Sequence, residues 1–296
     1  MRENTKNKLY DFILEQLSQM TEKVLSKYKN NMVLREQNPF LALDNVSTEK
    51  FMALGRSIDS QLGNRLQNII FYLTRIRYGY ENVPNIVEII TNHNTVELKK
   101  YYITGVLDKN YFYSNSNYYS QKIYINKNLS ETDIQRKLHV KKAFVHLIAS
   151  SSIPFEVEEN TINLINTIAK EKGTDGIPVD LLFFDNNFIN TFEIKMSGNL
   201  DTKNAESNAA EVNRLKNLFS FTNNNSYFAT CYLECSHAVF TEMKKLNLEN
   251  NIYKSIDFWN VILPNNEETL TYQEFVDLYT KAFHEAKLEE RIVNEI

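Results

Sequence analysis

Asp180, Glu193 and Lys195 are the residues of this chain whose types and spacing could do chemistry. They lie in Gly173-Thr-Asp-Gly-Ile-Pro-Val-Asp-Leu-Leu-Phe-Phe-Asp-Asn-Asn-Phe-Ile-Asn-Thr-Phe-Glu-Ile-Lys195, which reads as two apolar strands around an Asp-Asn-Asn turn. With Asn186 and Asn187 at the centre of a two-residue turn, Asp185 pairs with Phe188 and Asp180 falls opposite Glu193. Strand alternation then puts Glu193 and Lys195 on one face. Like charges facing each other across strands repel, and two half-buried carboxylates cost several kcal/mol unless something neutralises them. A divalent cation would do so, and oxygen ligands select a hard ion such as Mg²⁺. The Lys195 ammonium beside it could position or activate a water, or stabilise charge on a phosphate. The competing interpretation is a surface hairpin with incidental charges, since an acid followed by Glu-x-Lys recurs by chance. Against it, Val179, Leu181 and Phe183 fill one face while Leu182 and Phe184 share the face of Asp180, and a strand apolar on both faces is usually buried.

The elements that must hold this hairpin follow from hydrophobic periodicity. Residues 7 to 29 are predicted as an amphipathic helix with Leu9, Phe12, Ile13, Leu17, Met20 and Val24 on its stripe. A second helix is predicted from Ser57 to Arg75, locally basic through Arg65, Arg75 and Arg77. Val83 to Thr91 fits a strand or a short helix. Tyr101 to Tyr124 holds seven of the seventeen Tyr and reads as strands with a solvent-facing aromatic surface. Residues 131 to 150 are predicted helical, with Ser130 as N-cap and a basic cluster at Arg136, Lys137, Lys141 and Lys142. A short helix is expected from Thr161 to Lys172. After the hairpin comes a helix from Lys203 to Phe219, its apolar side Ala205, Ala209, Val212, Leu215 and Phe219. Its polar side carries Lys203, Asn204, Asn208, Glu211 and Arg214. Asn225 to Leu233 is expected as a third strand, so that the helix crosses over the hairpin strands in a mixed α/β unit. Asp257 to Leu263 fits a further strand or buried segment. Thr271 and Glu274 form a capping box at the head of the closing helix.

Bulk properties bound the function. A chain of 296 residues with 43% hydrophobic residues can bury a large core. The formal charge of −4 means that any nucleic-acid binding depends on local basic patches. Two Cys offer no disulfide framework and suit a reducing cytoplasm. Cys231, Cys235 and His237 lack a fourth ligand at zinc-finger spacing. There is no signal peptide, no long apolar span, no serine-hydrolase elbow, no phosphate-binding loop and no dinucleotide fingerprint, so a cytoplasmic protein of another class is expected.

Pro178-Val-Asp180, twelve intervening residues and Glu193-Ile-Lys195 resemble the PD-(D/E)xK nuclease motif. Gly55-Arg-Ser-Ile-Asp-Ser-Gln-Leu-Gly-Asn-Arg-Leu-Gln67 resembles a helix that opens the core of several type II restriction endonucleases. Asn38-Pro-Phe-Leu, Tyr227-Phe-Ala-Thr, Phe258-Trp-Asn and Thr271-Tyr-Gln-Glu-Phe are similar to stretches of the TdeIII-type subgroup. The chain departs from that subgroup in the loop after Lys195 and in the helix that follows.

The resemblance implies a mixed α+β fold: a restriction-endonuclease-like core with a mixed central sheet flanked by helices, a helical N-terminal part and a Tyr-rich β insertion. It implies one endonuclease domain over 1–296, with an extension at 1–50, a core at 51–240 holding an insertion near 95–126, and a C-terminal completion at 241–296. Asp180 and Glu193 would be metal ligands, joined by the backbone carbonyl of Ile194, and Lys195 would orient or activate the attacking water. Many relatives place a Glu where Gln67 stands; a neutral amide could bind a metal-bound water but could not act as a base. The activity implied is Mg²⁺-dependent hydrolysis of double-stranded DNA at a short palindrome, which calls for a two-fold homodimer and a separately encoded DNA methyltransferase. Lys203, Asn208, Arg214, Arg136, Lys141, Tyr113 and Tyr118 are the expected DNA contacts. The alternatives are a structure-specific repair or recombination nuclease and a DNA-binding protein without catalysis.

Overall fold

The computed structural model describes residues 2–36, 46–106, 119–137, 143–148, 154–173, 175–196, 202–231, 235–265, 268–288 and 290–291. The chain divides into two compact units, residues 1–69 with 265–296 and residues 70–264.

The first unit is helical. Helix α1 (Glu3–Glu36) buries the stripe expected of it, Leu9, Phe12, Ile13, Leu17, Met20 and Val24. Helix α2 (Val46–Tyr78) begins in this unit. Its inward face here is mixed: Gln61, Arg65 and Asn68 are buried alongside Leu54 and Ile69, while Leu62 and Leu66 are half-buried. Arg65 donates to Gln19 Oε1 at 2.9 Å and to Gln16 Oε1 at 3.3 Å, and Asn68 donates to the same Gln16 oxygen at 2.7 Å. The last helix, Tyr272–Glu285, packs along α1. Thr271 and Glu274 close its capping box as expected.

The second unit is mixed α/β. Strands β1 (Ile86–Asn92), β2 (Thr95–Val106), β3 (Gln121–Ile125), β4 (Ala143–Ile148), β5 (Phe155–Glu156) and β6 (Ile177–Val179) form one sheet in the order β4-β2-β1-β3-β6, with β5 on β2. Strands β7 (Leu181–Asp185), β8 (Phe188–Lys195), β9 (Asn224–Thr230) and β10 (Ile252–Lys254) form a second in the order β10-β9-β8-β7. Both are mixed: β1 runs parallel to β3 and antiparallel to β2, and β8 parallel to β9 and antiparallel to β7. The single mixed sheet expected from the sequence is thus two sheets, because β6 pairs with β3 while β7 pairs with β8. Helices α3 (Glu131–Lys137), α4 (Glu159–Lys172), α5 (Thr202–Leu218), α6 (His237–Lys245) and α7 (Ser255–Ile262) complete the unit.

Helix α5 buries Ala205, Ala209, Val212, Leu215 and Leu218. Its connection between the parallel strands β8 and β9 is the expected crossover. One apolar core joins Val87, Ile89, Ile123 and Ile125 of the first sheet to Leu182, Phe184 and Ile189 of the second, with Ile165 and Ile168 of α4 and Leu215 and Leu218 of α5.

Three expectations are corrected. The described helix α3 covers Glu131–Lys137, and Ala143–Ile148, expected to continue it, is a strand antiparallel to β2. A short apolar run does not choose between helix and strand by itself, and the twelve-residue β2 offers it a partner. Of the two readings of Asp257 to Leu263, the buried segment holds and the strand does not: Ser255–Ile262 is helical, its Phe258, Trp259 and Ile262 buried on one side. Tyr101, Tyr102, Tyr119 and Tyr124 are buried, not solvent-facing. Strands β2 and β3 lie inside their sheet, and the Tyr101 hydroxyl finds a partner there, donating to Glu88 Oε2 at 2.8 Å. The basic residues at the end of α2 are also engaged within the unit: Arg75 donates to Val83 O and Asn85 Oδ1, and Arg77 to Leu263 O. Among the described residues no helix is long and apolar enough to cross a membrane.

Candidate active site

The hairpin has the expected register. Asp185 pairs with Phe188 around Asn186 and Asn187, and Asn186 takes the left-handed conformation at φ 52°. Leu181, Leu182, Phe183 and Phe184 are all buried. Leu182 and Phe184 enter the shared core, while Phe183 stacks between Tyr78 and Phe192, with ring centroids at 4.2 and 6.0 Å. The last paired residues are Leu181 and Phe192. One step beyond the ladder, Asp180 occupies a bend between β6 and β7, where the chain leaves one sheet for the other.

That corner is fixed by side chains whose part was not legible in the sequence. Gln121, at the start of β3, is buried. Its Nε2 donates to Leu182 O at 2.7 Å and its Oε1 accepts from Leu182 N at 2.7 Å. One carboxamide therefore does for Leu182 what a neighbouring strand would do. It also donates to Pro84 O at 2.6 Å. Ahead of β6, Gly176 has φ 78°, and a Cβ there would lie 2.8 Å from the Tyr124 ring, so the approach requires glycine.

On this frame three charged groups converge. Asp180 Oδ2 accepts from the Ile194 N–H at 2.8 Å. Lys195 Nζ lies 2.6 Å from Glu193 Oε1, on the face the alternation requires. Burial and the Glu193 charge push the Asp180 carboxyl up to about 6, against the pull of Lys195 and the Ile194 N–H. Burial alone would lower the Lys195 ammonium, but the charge and hydrogen bond of Glu193, with Asp180, hold it above its ordinary value. Lys195 is therefore a cation at neutral pH, able to donate but not to accept a proton.

Helix α5 adds a fourth group. Burial draws the Arg214 guanidinium below its ordinary value, and the charges of Glu193 and Glu171 oppose this, so Arg214 lies within the field of the site. Arg214 pairs with Glu211, and Glu211 Oε2 lies 3.9 Å from Lys172 Nζ at the end of α4. The i,i+3 spacing of Glu211 and Arg214 was the available signal for this pair.

The donor chemistry fits a hard divalent cation. Asp180 and Glu193 supply carboxylate oxygens, and with Lys195 they leave one negative charge uncompensated. In an extended strand the N–H and C=O of one residue leave on the same edge. The Ile194 carbonyl therefore faces the β7 edge with its N–H, whereas the Lys195 carbonyl accepts from Cys231 N at 3.2 Å. Among the described residues no group of three or more His, Cys, Asp or Glu is arranged to hold a metal. A site with two carboxylates suits Mg²⁺, which keeps several waters and takes further oxygens from a phosphate substrate.

The remaining expected residues are dispersed. Gln67 is half-buried in the part of α2 that belongs to the first unit, whereas Asp180, Glu193, Lys195 and Arg214 belong to the second. Lys203 is exposed in the first turn of α5. Asn208, expected on the polar side of that helix, is buried with the apolar residues. Arg136 is exposed and pairs with Asp133 at 2.7 Å. Tyr113, Tyr118, Lys141 and the Asn38-Pro-Phe-Leu stretch lie outside the described residues. Cys231 and Cys235 are both free thiols, and burial pushes Cys231 up to about 12. Comparison with family models, with curated proteins and with solved structures gave no match to this chain.

Proposed function

We propose that the chain is a Mg²⁺-dependent endonuclease that hydrolyses phosphodiester bonds in double-stranded DNA, of the type II restriction class that its hairpin motif resembles. The observation that carries the reading is the enclosed carboxylate pair with an adjacent ammonium: Lys195 Nζ at 2.6 Å from Glu193 Oε1, beside Asp180 with its raised carboxyl. Asp180, Glu193 and the Ile194 carbonyl would hold the cation. Bound there, it would offset the charge that develops on the phosphate oxygens and favour ionisation of a water. Lys195, as an ammonium, donates hydrogen bonds that orient the attacking water or meet a phosphate oxygen. Glu193 holds the Lys195 head group in place, and the Ile194 N–H holds Asp180. The bend at Asp180 brings its carboxylate to Glu193 without placing both in one continuous ladder.

Digestion of a long unmethylated DNA by the purified protein tests the proposal. Discrete fragments are expected with Mg²⁺ and none with EDTA. A smear or cutting confined to branched DNA would replace sequence-specific restriction with structure-specific cleavage, and an uncut substrate across sequences would remove the nuclease reading.

A further inference from the structure

Outside the site, an open groove of about 680 Å³ lies between the segment after β3 and helix α4. Asn126 and Lys127 form one wall. Asn163, Asn166, Thr167 and Lys170 form the other, at positions i, i+3, i+4 and i+7 of one helix face. The lining contains two lysines and no acid, in a chain with a net charge of −4. The negative end of the α4 dipole lies at Gly173, and Lys170 and Lys172 offset it.

The wall is fixed in advance. Glu88 is fully buried, and its carboxylate accepts from Lys127 N at 3.1 Å, from Leu129 N at 3.2 Å and from the Tyr101 hydroxyl at 2.8 Å. Asn126 takes the left-handed conformation at φ 52°. It accepts from Thr91 N at 2.7 Å and donates to Asn166 Oδ1 at 3.2 Å, across the groove floor. The Lys127 and Lys170 side chains are exposed. On another face of the same helix end, Lys172 reaches Glu211, and Glu211 pairs with Arg214.

We propose that this groove binds the sugar-phosphate backbone of the DNA flanking the cleaved bond, an inference that rests on the nuclease reading. Lys127 and Lys170 neutralise phosphates, and the Asn163 and Asn166 carboxamides hydrogen-bond phosphate and sugar oxygens, while Asn126 and Thr167, whose hydrogens are donated within the protein, shape the wall. These contacts position the duplex and carry no sequence information.

The test measures affinity of the full chain for a labelled mixed-sequence DNA duplex by fluorescence anisotropy across a salt series in EDTA. In parallel, cleavage of DNA with Mg²⁺ is followed. Lys127→Glu/Lys170→Glu is compared with the exposed control Lys244→Glu/Lys254→Glu and with the charge-retaining Lys127→Arg/Lys170→Arg. The groove variant is expected to bind at least about tenfold more weakly and to lose about two from the slope of log affinity against log salt. The control and the arginine variant are expected to bind as the wild type does. Wild-type cleavage with undiminished binding by the groove variant would overturn the groove and leave the nuclease reading standing. Specific loss of binding in the groove variant of a protein that never cleaves would support the groove and sink the nuclease reading. A wild type that does not bind DNA at all would overturn the groove proposal with it.

Discussion

At the scale of single residues, the site is defined by a carboxyl in an unfavourable place. Asp180 titrates at about 6 in the fold against 3.8 ordinarily. Between those values the folded chain keeps a proton that the unfolded chain has released, so stability falls as pH rises through the window. The penalty is complete above about pH 6 and amounts to as much as about 3 kcal/mol. Asp180→Asn keeps an acceptor for the Ile194 N–H and removes the charge. In metal-free buffer near pH 7.5 it is expected to raise the melting temperature by about 3–8 °C, and the gain should shrink as pH falls through the window and vanish below it, where Asp180 is protonated in the folded and the unfolded chain alike. A lower melting temperature at pH 7.5 would make Asp180 part of a structural ion pair instead. Asp180, Glu193 and Lys195 were legible in the sequence because an Asn-Asn turn fixes hairpin register and strand alternation fixes facing. The Arg214–Glu211–Lys172 connection was not, because it joins two helices whose packing no local pattern specifies.

At the scale of elements, the determining feature is the corner between β6 and β7. Sequence periodicity predicted one strand headed by Asp180; the chain bends there because Val179 pairs with Gln121 in one sheet while Leu181 pairs with Phe192 in the other. Gln121 holds that corner with three hydrogen bonds from a buried carboxamide. Gln121→Ala would leave the Leu182 N–H and two carbonyls in the interior without these partners, so a loss of about 2–4 kcal/mol is expected in urea unfolding. A change under about 0.5 kcal/mol would show that the corner is held by packing alone. The helices with strong stripes, α1 and α5, were legible because 3.6-residue periodicity alone carries them. Strand β4 and the burial of Tyr101 and Tyr102 were not, since both depend on β2 lying between β4 and β1.

At the scale of the whole molecule, a helical unit and a two-sheet unit make up a chain of 34.7 kDa. The mixed α/β character was legible from the alternation of strand and helix patterns, whereas the division into two sheets depends on pairing over long sequence separations. Cleavage of both strands of a palindrome calls for two copies of the site, and sedimentation velocity is expected to give twice the chain mass. A monomer at all concentrations, with DNA present, would exclude cleavage by a symmetric dimer. Binding of a cation by Asp180 and Glu193 predicts that Mg²⁺ raises the melting temperature of the wild type but not that of Asp180→Asn/Glu193→Gln; equal shifts in both would place the cation elsewhere. The most direct test of the central claim is the single-turnover rate of DNA cleavage at saturating Mg²⁺ for wild type, Asp180→Ala and Lys195→Ala. Loss on the order of a hundredfold to a thousandfold or more is expected in each variant with the fold retained, and cleavage at the wild-type rate by either one would contradict the assignment.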